Sequence, residues 1–392
     1  MKCKKIIHLM LLCCLLSGCW DKVEIDRKSF ISTIAIDVGK DISKEKEFKK
    51  IKSDEIFKQE ELKKLSITYG FPDISELGPQ KGGTAEAKFI TTDAYSMHDG
   101  FNEMASKTSR SIHFGHLKLL ILSEEVMAYP ETLKEIFDYF ERHPSVNKTM
   151  LVVVAKGRAE DYVKYQPKME KNIEYYITGL MENSTKNSSI FPMTLNELLI
   201  LLYQNGNAIV PAINYEKAKD EIAISGVVVI KDYKLEGNLD RMETAALEIL
   251  RGKIEGGKET VIIDGHPVEF EIGGVDRKIK LIDENKDKLE LKVDVKLEGM
   301  LKGYTTGEEV FLKSRLEEIQ SNFDDVIERQ CEKVTRITQE KLLVDPIGFR
   351  EYIEKFHPSV YKEIKDDWEE VYKNANIDVN IQTRIRRIGI TK

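Results

Sequence analysis

Cysteine is scarce in this chain and poorly placed for crosslinking: of five in 392 residues, Cys3, Cys13 and Cys14 fall within the first 18. Once that leader is removed only Cys19 and Cys331 remain, so no framework of bridges can substitute for a hydrophobic core. Apolar runs are short too. The leader's stretch, residues 6–16, falls well below the ~20 residues that a membrane-crossing helix needs, and no later segment supplies a span. There is no glycine loop of the Walker pattern and no GxSxG elbow, which removes two common signatures of nucleotide binding and serine hydrolysis. His113 and His116 stand three apart without a third ligand candidate close by in sequence, so they read as structural residues at the entry to a strand and not as a metal pair. No internal repeat or long low-complexity segment occurs. Nothing in the sequence calls for a cofactor.

Acid is in excess. The formal net charge is -7, and the first 18 residues hold three lysines and no acid, so residues 19–392 carry -10. Nucleic acid and anionic lipid surfaces repel such a body, and neither is expected as an electrostatic partner.

What is present begins at Leu16-Ser17-Gly18-Cys19, which follows Lys2, Lys4, Lys5 and the apolar stretch. Basic residues, a short apolar core and small residues before a cysteine make a lipoprotein signal peptide over residues 1–18, with cleavage before Cys19. The thiolate can carry a diacylglyceryl group as a thioether, and acyl chains at ~0.8 kcal/mol per buried methylene anchor durably when there is more than one. The mature protein is therefore expected outside the cytoplasmic membrane, anchored at Cys19 and not spanning. Trp20 then sits at the headgroup level or packs on the protein body.

A length of 392 residues suggests two or three domains. Residues 30–37 and 65–69 read as strands, 44–64 as a solvated helix or insertion rich in Lys and Glu, and 91–109 as a helix. Apolar strands at 117–122 and 150–155 alternate with helices at 131–141 and 159–165, the pattern of a mixed α/β layer. Thr194 with Glu197 resembles a capping box opening a helix over 195–202, closed by Asn205-Gly206-Asn207. A strand over 222–230, a turn region over 233–239 and a helix over 241–250 follow, with a boundary near 207–220. Strands are then expected at 261–264, 268–272, 278–283 and 289–297, and the Gly256-Gly257 and Gly273-Gly274 pairs read as turns. The clearest helical signal is the stripe Leu312, Leu316, Ile319, Phe323, Val326, Ile327, Val334 and Ile337, one long amphipathic helix over 308–342 stopped by Pro346 and Gly348. Cys331 lies on its apolar face as a buried thiol. A shorter helical stretch over 349–372 and a strand over 377–388 close the chain.

Several short pieces occur in a fixed order: Gly18-Cys19-Trp20-Asp21 with Glu24, Ile34-Ala35-Ile36-Asp37, Gly115-His116-Leu117-Lys118 and Gly157-Arg158-Ala159. They continue with Ala208-Ile209-Val210-Pro211, Gly226 with Lys231 and Glu243, then Phe349, Pro358, Trp368, Asp378-Val379-Asn380 and Arg386-Arg387-Ile388-Gly389. In this order they resemble the Ger(x)C lipoproteins, the C subunits of spore nutrient-germinant receptors. The 44–64 region departs from that family's usual pattern.

The resemblance implies a non-enzymatic, three-domain α+β lipoprotein on the outer face of the spore inner membrane. Its implied partners are two further receptor subunits, one with a large soluble domain and one transporter-like. The expected division is an N-terminal α/β domain over 19–212, a middle domain over 213–285 and a C-terminal α+β domain over 286–392 whose long helix packs on a sheet. The alternative reading is a lipid-anchored solute-binding protein, which needs two similar lobes around a cleft. An extracytoplasmic hydrolase would need a nucleophile and base that the sequence does not offer.

Overall fold

The computed structural model describes residues 27–45, 62–73, 86–183, 187–216, 218–302 and 313–388. The leader, Cys19, Trp20, most of 44–64 and Leu312 lie outside the described residues.

The first part of the chain contributes β1 (Lys28–Phe30), β2 (Thr33–Val38), β3 (Leu65–Pro72), β4 (Ala87–Ala94), α1 (Met97–Ser106), β5 (Ser111–His113), β6 (Leu119–Ser123) and α2 (Pro130–Arg142). Next come β7 (Leu151–Ala155), α3 (Ala159–Val163), α4 (Ile173–Glu182), α5 (Leu195–Asn205), β8 (Ala208–Glu216), β9 (Glu221–Lys231) and β10 (Lys234–Leu239). Eight of the strands form one sheet in the order β10-β9-β8-β7-β6-β2-β3-β4. The central four, β8, β7, β6 and β2, run parallel, and both margins are antiparallel. The unbroken apolar runs of β6 and β7 fit this place, because a central parallel strand is covered on both faces. Met104, Leu133, Phe137 and Leu198 cover one face, and Tyr162, Ile173, Ile177 and Met181 the other.

Two expectations are corrected here. Residues 91–94 are not helical: the β-branched run Ile90-Thr91-Thr92 pairs with β3, and α1 starts only after Ser96, whose side chain accepts from the Asp99 N–H. Residues 233–239 are mostly strand. Asp232 and Tyr233, with φ of 48° and 63°, form a two-residue reversal of the kind that matches strand twist, and β10 returns along β9.

The rest of the chain supplies α6 (Arg241–Arg251), β11 (Lys258–Ile263), β12 (His266–Asp283), β13 (Glu290–Lys302), α7 (Lys313–Arg336) and a π-helical turn at Ile337–Leu342. After these come α8 (Phe349–Phe356), α9 (Pro358–Ile364), α10 (Trp368–Asn374) and β14 (Asn376–Ile388). A second sheet runs β11-β12-β13-β14, antiparallel except that β14 is parallel to β13. The strands expected at 268–272 and 278–283 are one strand. Gly273 and Gly274 are not a turn but a bulge, where the register against β13 steps between Ile272 and Gly274.

The long amphipathic helix does pack on the sheet that holds 377–388. From α7, Ile319, Phe323, Ile327, Cys331 and Val334 are buried, and the Phe323 ring lies 5.5 Å from that of Phe270 on β12. Leu316 is only half-buried. The hydrophobic cluster around Phe323 also takes in Ile209, Val227, Val229 and Leu239 from the large sheet, with Leu247 and Leu250 of α6 between. The expected divisions at 212/213 and 285/286 fall inside β8 and in the turn between β12 and β13.

Candidate functional site

Cys19, the one site residue the sequence singles out, lies eight positions before the first described residue, Arg27. From there the chain is fixed at once. β1 pairs in parallel with β5 in the register Lys28↔Ser111, Ser29↔Ile112 and Phe30↔His113. Beyond it, the Ile31 N–H donates to the His113 carbonyl at 2.9 Å, and the Lys118 N–H to the Ser32 carbonyl at 2.9 Å. The Phe30 ring is 5.8 Å from His113 and 4.8 Å, edge-on, from His116. The two histidines thus pack beside an aromatic ring. Burial, Lys28 and His116 hold His113 below its ordinary pKa. Among the described residues no group of three or more His, Cys, Asp or Glu could hold a metal ion.

Several residues of the resemblance's motifs make contacts with elements distant in sequence. Asp37, at the end of β2, accepts from the Ala159 and Glu160 N–H groups at 2.7 and 2.9 Å, capping α3 from 122 residues away. Burial nonetheless pushes the Asp37 carboxyl upward, outweighing those two hydrogen bonds. Lys231 on β9 pairs with Glu369 on α10 at 2.7 Å. Glu243 completes a capping box with Asp240 at the start of α6 and binds Lys333 of α7 at 3.0 Å. Trp368 stacks on Tyr372 at 5.7 Å. The Tyr372 hydroxyl shares a 2.7 Å hydrogen bond with Thr338, while Gln339 Nε2 donates to the Tyr372 and Ala375 carbonyls. The π-helical turn is what presents Thr338 and Gln339 together. These contacts fasten elements of the chain to one another.

The thiol of Cys331 is fully buried, donates to the Ala246 carbonyl, and is pushed by burial to a higher pKa, the reverse of what a nucleophile needs. Sequence reasoning missed the polar residues Gln320, Asp324 and Glu328 on α7, which bind the β14 backbone. Their spacing of four was the available signal. Among the described residues no helix is long and apolar enough to cross a membrane.

Comparison with known proteins places this geometry. Residues 21–215 match the model of the spore germination protein N-terminal domain, and residues 225–389 match the spore germination B3/GerAC-like C-terminal model. The second match begins within β9, so both matched segments contribute to the eight-stranded sheet. Spore germination protein YndF of Bacillus subtilis is 26% identical, over 100% of this chain and 99% of its own. Spore germination protein A3 of the same organism is 25% identical over 98% of each. The crystal structure of the GerBC protein shares the fold, with a TM-score of 0.59 and 22% identity over 82% of this chain and 93% of that one. The two matched segments cover nearly all of the chain after Cys19, and the protein belongs to the family of GerAC-like spore germination proteins.

Proposed function

We propose that this chain is a non-enzymatic, lipid-anchored subunit of a spore germinant receptor. It acts in nutrient-triggered germination, held by lipid on Cys19 at the outer face of the spore inner membrane. The observation that carries the reading is the pair of family matches, the first starting two residues after Cys19. The names of the relatives, spore germination proteins B3 and A3, point the same way. The partners in this reading are the two other receptor subunits, one with a large soluble domain and one transporter-like.

An extended chain covers about 3.5 Å per residue, so the eight residues from Cys19 to Arg27 hold the β1–β5 corner within about 28 Å of the anchor. That corner is stitched to the large sheet through Ser32, and the large sheet shares a core with α7 and the C-terminal sheet. A partner bound anywhere on this body is therefore kept close to the membrane by one tether. The solute-binding alternative needs two similar lobes, whereas the large sheet has eight strands and the C-terminal sheet four.

Co-purification from spore membranes with cross-linking and mass spectrometry tests the reading. Cross-links to two membrane-embedded subunits support it. Isolation of the chain alone, under conditions that keep a known three-subunit receptor intact, contradicts it.

A further inference from the structure

Where the ends of α5 and α6 meet residues 344–351, a cavity of about 140 Å³ is lined by Arg251, Lys253, Arg277, Asp345, Arg350 and Glu351. A larger space of about 470 Å³ shares Leu201, Arg251 and Lys253 with it and adds an apolar wall of Ile190, Phe191 and Ile200 beside the carboxylates Glu197, Glu248 and Glu255. Four cations against two carboxylates around the smaller cavity are unusual on a chain whose net charge is -7.

The pairing of these groups leaves cationic donors over. Arg251 Nη1 is bound to Glu248 at 2.5 Å. Among the described residues Arg277 hydrogen-bonds only to carbonyls, donating from Nη1 to Leu250 and Ile347 at 2.9 Å each, with Asp345 and Glu351 near enough to act on its charge. Asp345 is committed to backbone, its two oxygens accepting from the Gly348 and Arg350 N–H groups at 2.9 and 2.8 Å. Burial pushes its carboxyl up to about 6, which weakens it further as a counter-ion. The Nε of Arg350 is buried without an acceptor. Lys253 feels Glu248, Glu351 and Glu197, but no carboxylate of the described residues lies within ion-pair distance. Repulsion from Arg251, then burial, lowers its pKa.

A buried N–H without an acceptor, such as the Arg350 Nε, is costly unless an anion satisfies it, and the exposed Lys253 ammonium at the same cavity can join it; Arg350 Nη2 is already 3.4 Å from the Tyr361 hydroxyl. Oxyanions, planar or tetrahedral, are the acceptors that match such donors. A cavity of this volume takes a group about the size of benzene.

We propose that this cavity binds a small oxyanion, a carboxylate or a phosphate, held by Lys253 and Arg350 within the field of Arg251 and Arg277. The Ile190, Phe191 and Ile200 wall of the adjoining space takes any hydrocarbon substituent the anion carries. The site is independent of the membrane anchor.

The test is isothermal titration of the full chain in mild detergent with sodium phosphate, acetate and benzoate, chloride keeping the ionic strength constant. Saturable binding of phosphate alone identifies a phosphoryl site, and of acetate or benzoate alone a carboxylate site; tighter binding of benzoate than acetate supports the role of the apolar walls. Lys253→Met, at an exposed side chain, should weaken binding about tenfold, which is ~1.4 kcal/mol, with an unchanged thermal melt. Arg350→Gln should weaken binding by a similar factor. If Lys253→Met fails to fold, Lys253→Gln takes its place. No saturable binding by any of the three anions, or binding untouched by both substitutions, overturns the proposal.

Discussion

Asp324 on α7 accepts the backbone N–H of Thr383 on β14 at 2.5 Å, and this contact is the centre of a ladder. Gln320 Oε1 accepts from the Ile385 N–H at 2.9 Å and Glu328 Oε2 from the Ile381 N–H at 3.2 Å. Four residues of helix rise about 6 Å and two residues of strand about 6.6 Å, so every fourth side chain meets every second N–H. β14 is the edge of its sheet, and α7 supplies the acceptors a neighbouring strand would have provided. This is one way to protect an open edge from pairing with another chain.

Asp324→Ala should therefore destabilise the protein by about 1–3 kcal/mol, because the Thr383 N–H loses its acceptor. Asp324→Asn keeps an oxygen there and should cost less than half as much. Denaturant melts of both variants make the comparison; equal losses would mean the carboxylate acts through charge and not as an acceptor.

Phe323 sits on the same helix, fully buried against Phe270. Phe323→Ala should cost about 3–5 kcal/mol through lost burial and the cavity left behind. A loss under about 1 kcal/mol would contradict the shared core.

Gly226 has φ of 122°, and a Cβ there would stand 2.1 Å from the Leu239 carbonyl oxygen. Gly226→Ala should cost at least about 2 kcal/mol from strain and the displaced β10. A thermal melt decides this, since a shift within error would mean that β10 moves aside freely.

Glu259 on β11 carries a pH signature. Burial raises its pKa to about 7, with a hydrogen bond to Gln330 opposing. A carboxyl raised above its unfolded value favours the folded state at low pH, and that contribution is lost as pH rises from about 4.5 through about 7. Glu259→Gln should thus be more stable than the parent at pH 8, by about 1–3 kcal/mol after allowance for its partial exposure, with the advantage gone at pH 4. A pH-independent difference would contradict the assignment.

Much of the fold was legible where burial dictates composition. The runs at 117–122 and 150–155 announced central strands because both faces are covered, and Thr194 with Glu197 announced a helix start through its reciprocal hydrogen bonds. The errors came where local pattern and tertiary pairing disagree. Ala94, Met97 and Phe101 share helical spacing, yet pairing with β3 holds Ala94 in a strand. Gly273-Gly274 has turn composition, but pairing with β13 on both sides keeps the chain extended through it. The cationic cavity was illegible because Arg251, Arg277 and Arg350 are far apart in sequence and meet only through the packing of α6, β12 and α8.

The central claim is that lipid on Cys19 ties this body to the membrane. Mass spectrometry of the N-terminal peptide from spore membranes tests it most directly, alongside fractionation of a Cys19→Ala protein shown to have lost its leader. The account predicts a diacylglyceryl-modified Cys19 as the first residue, and release of the Cys19→Ala protein into the soluble fraction. An unmodified cysteine, or a leader-free Cys19→Ala protein that remains on the membrane through a detergent-free salt wash, would contradict it.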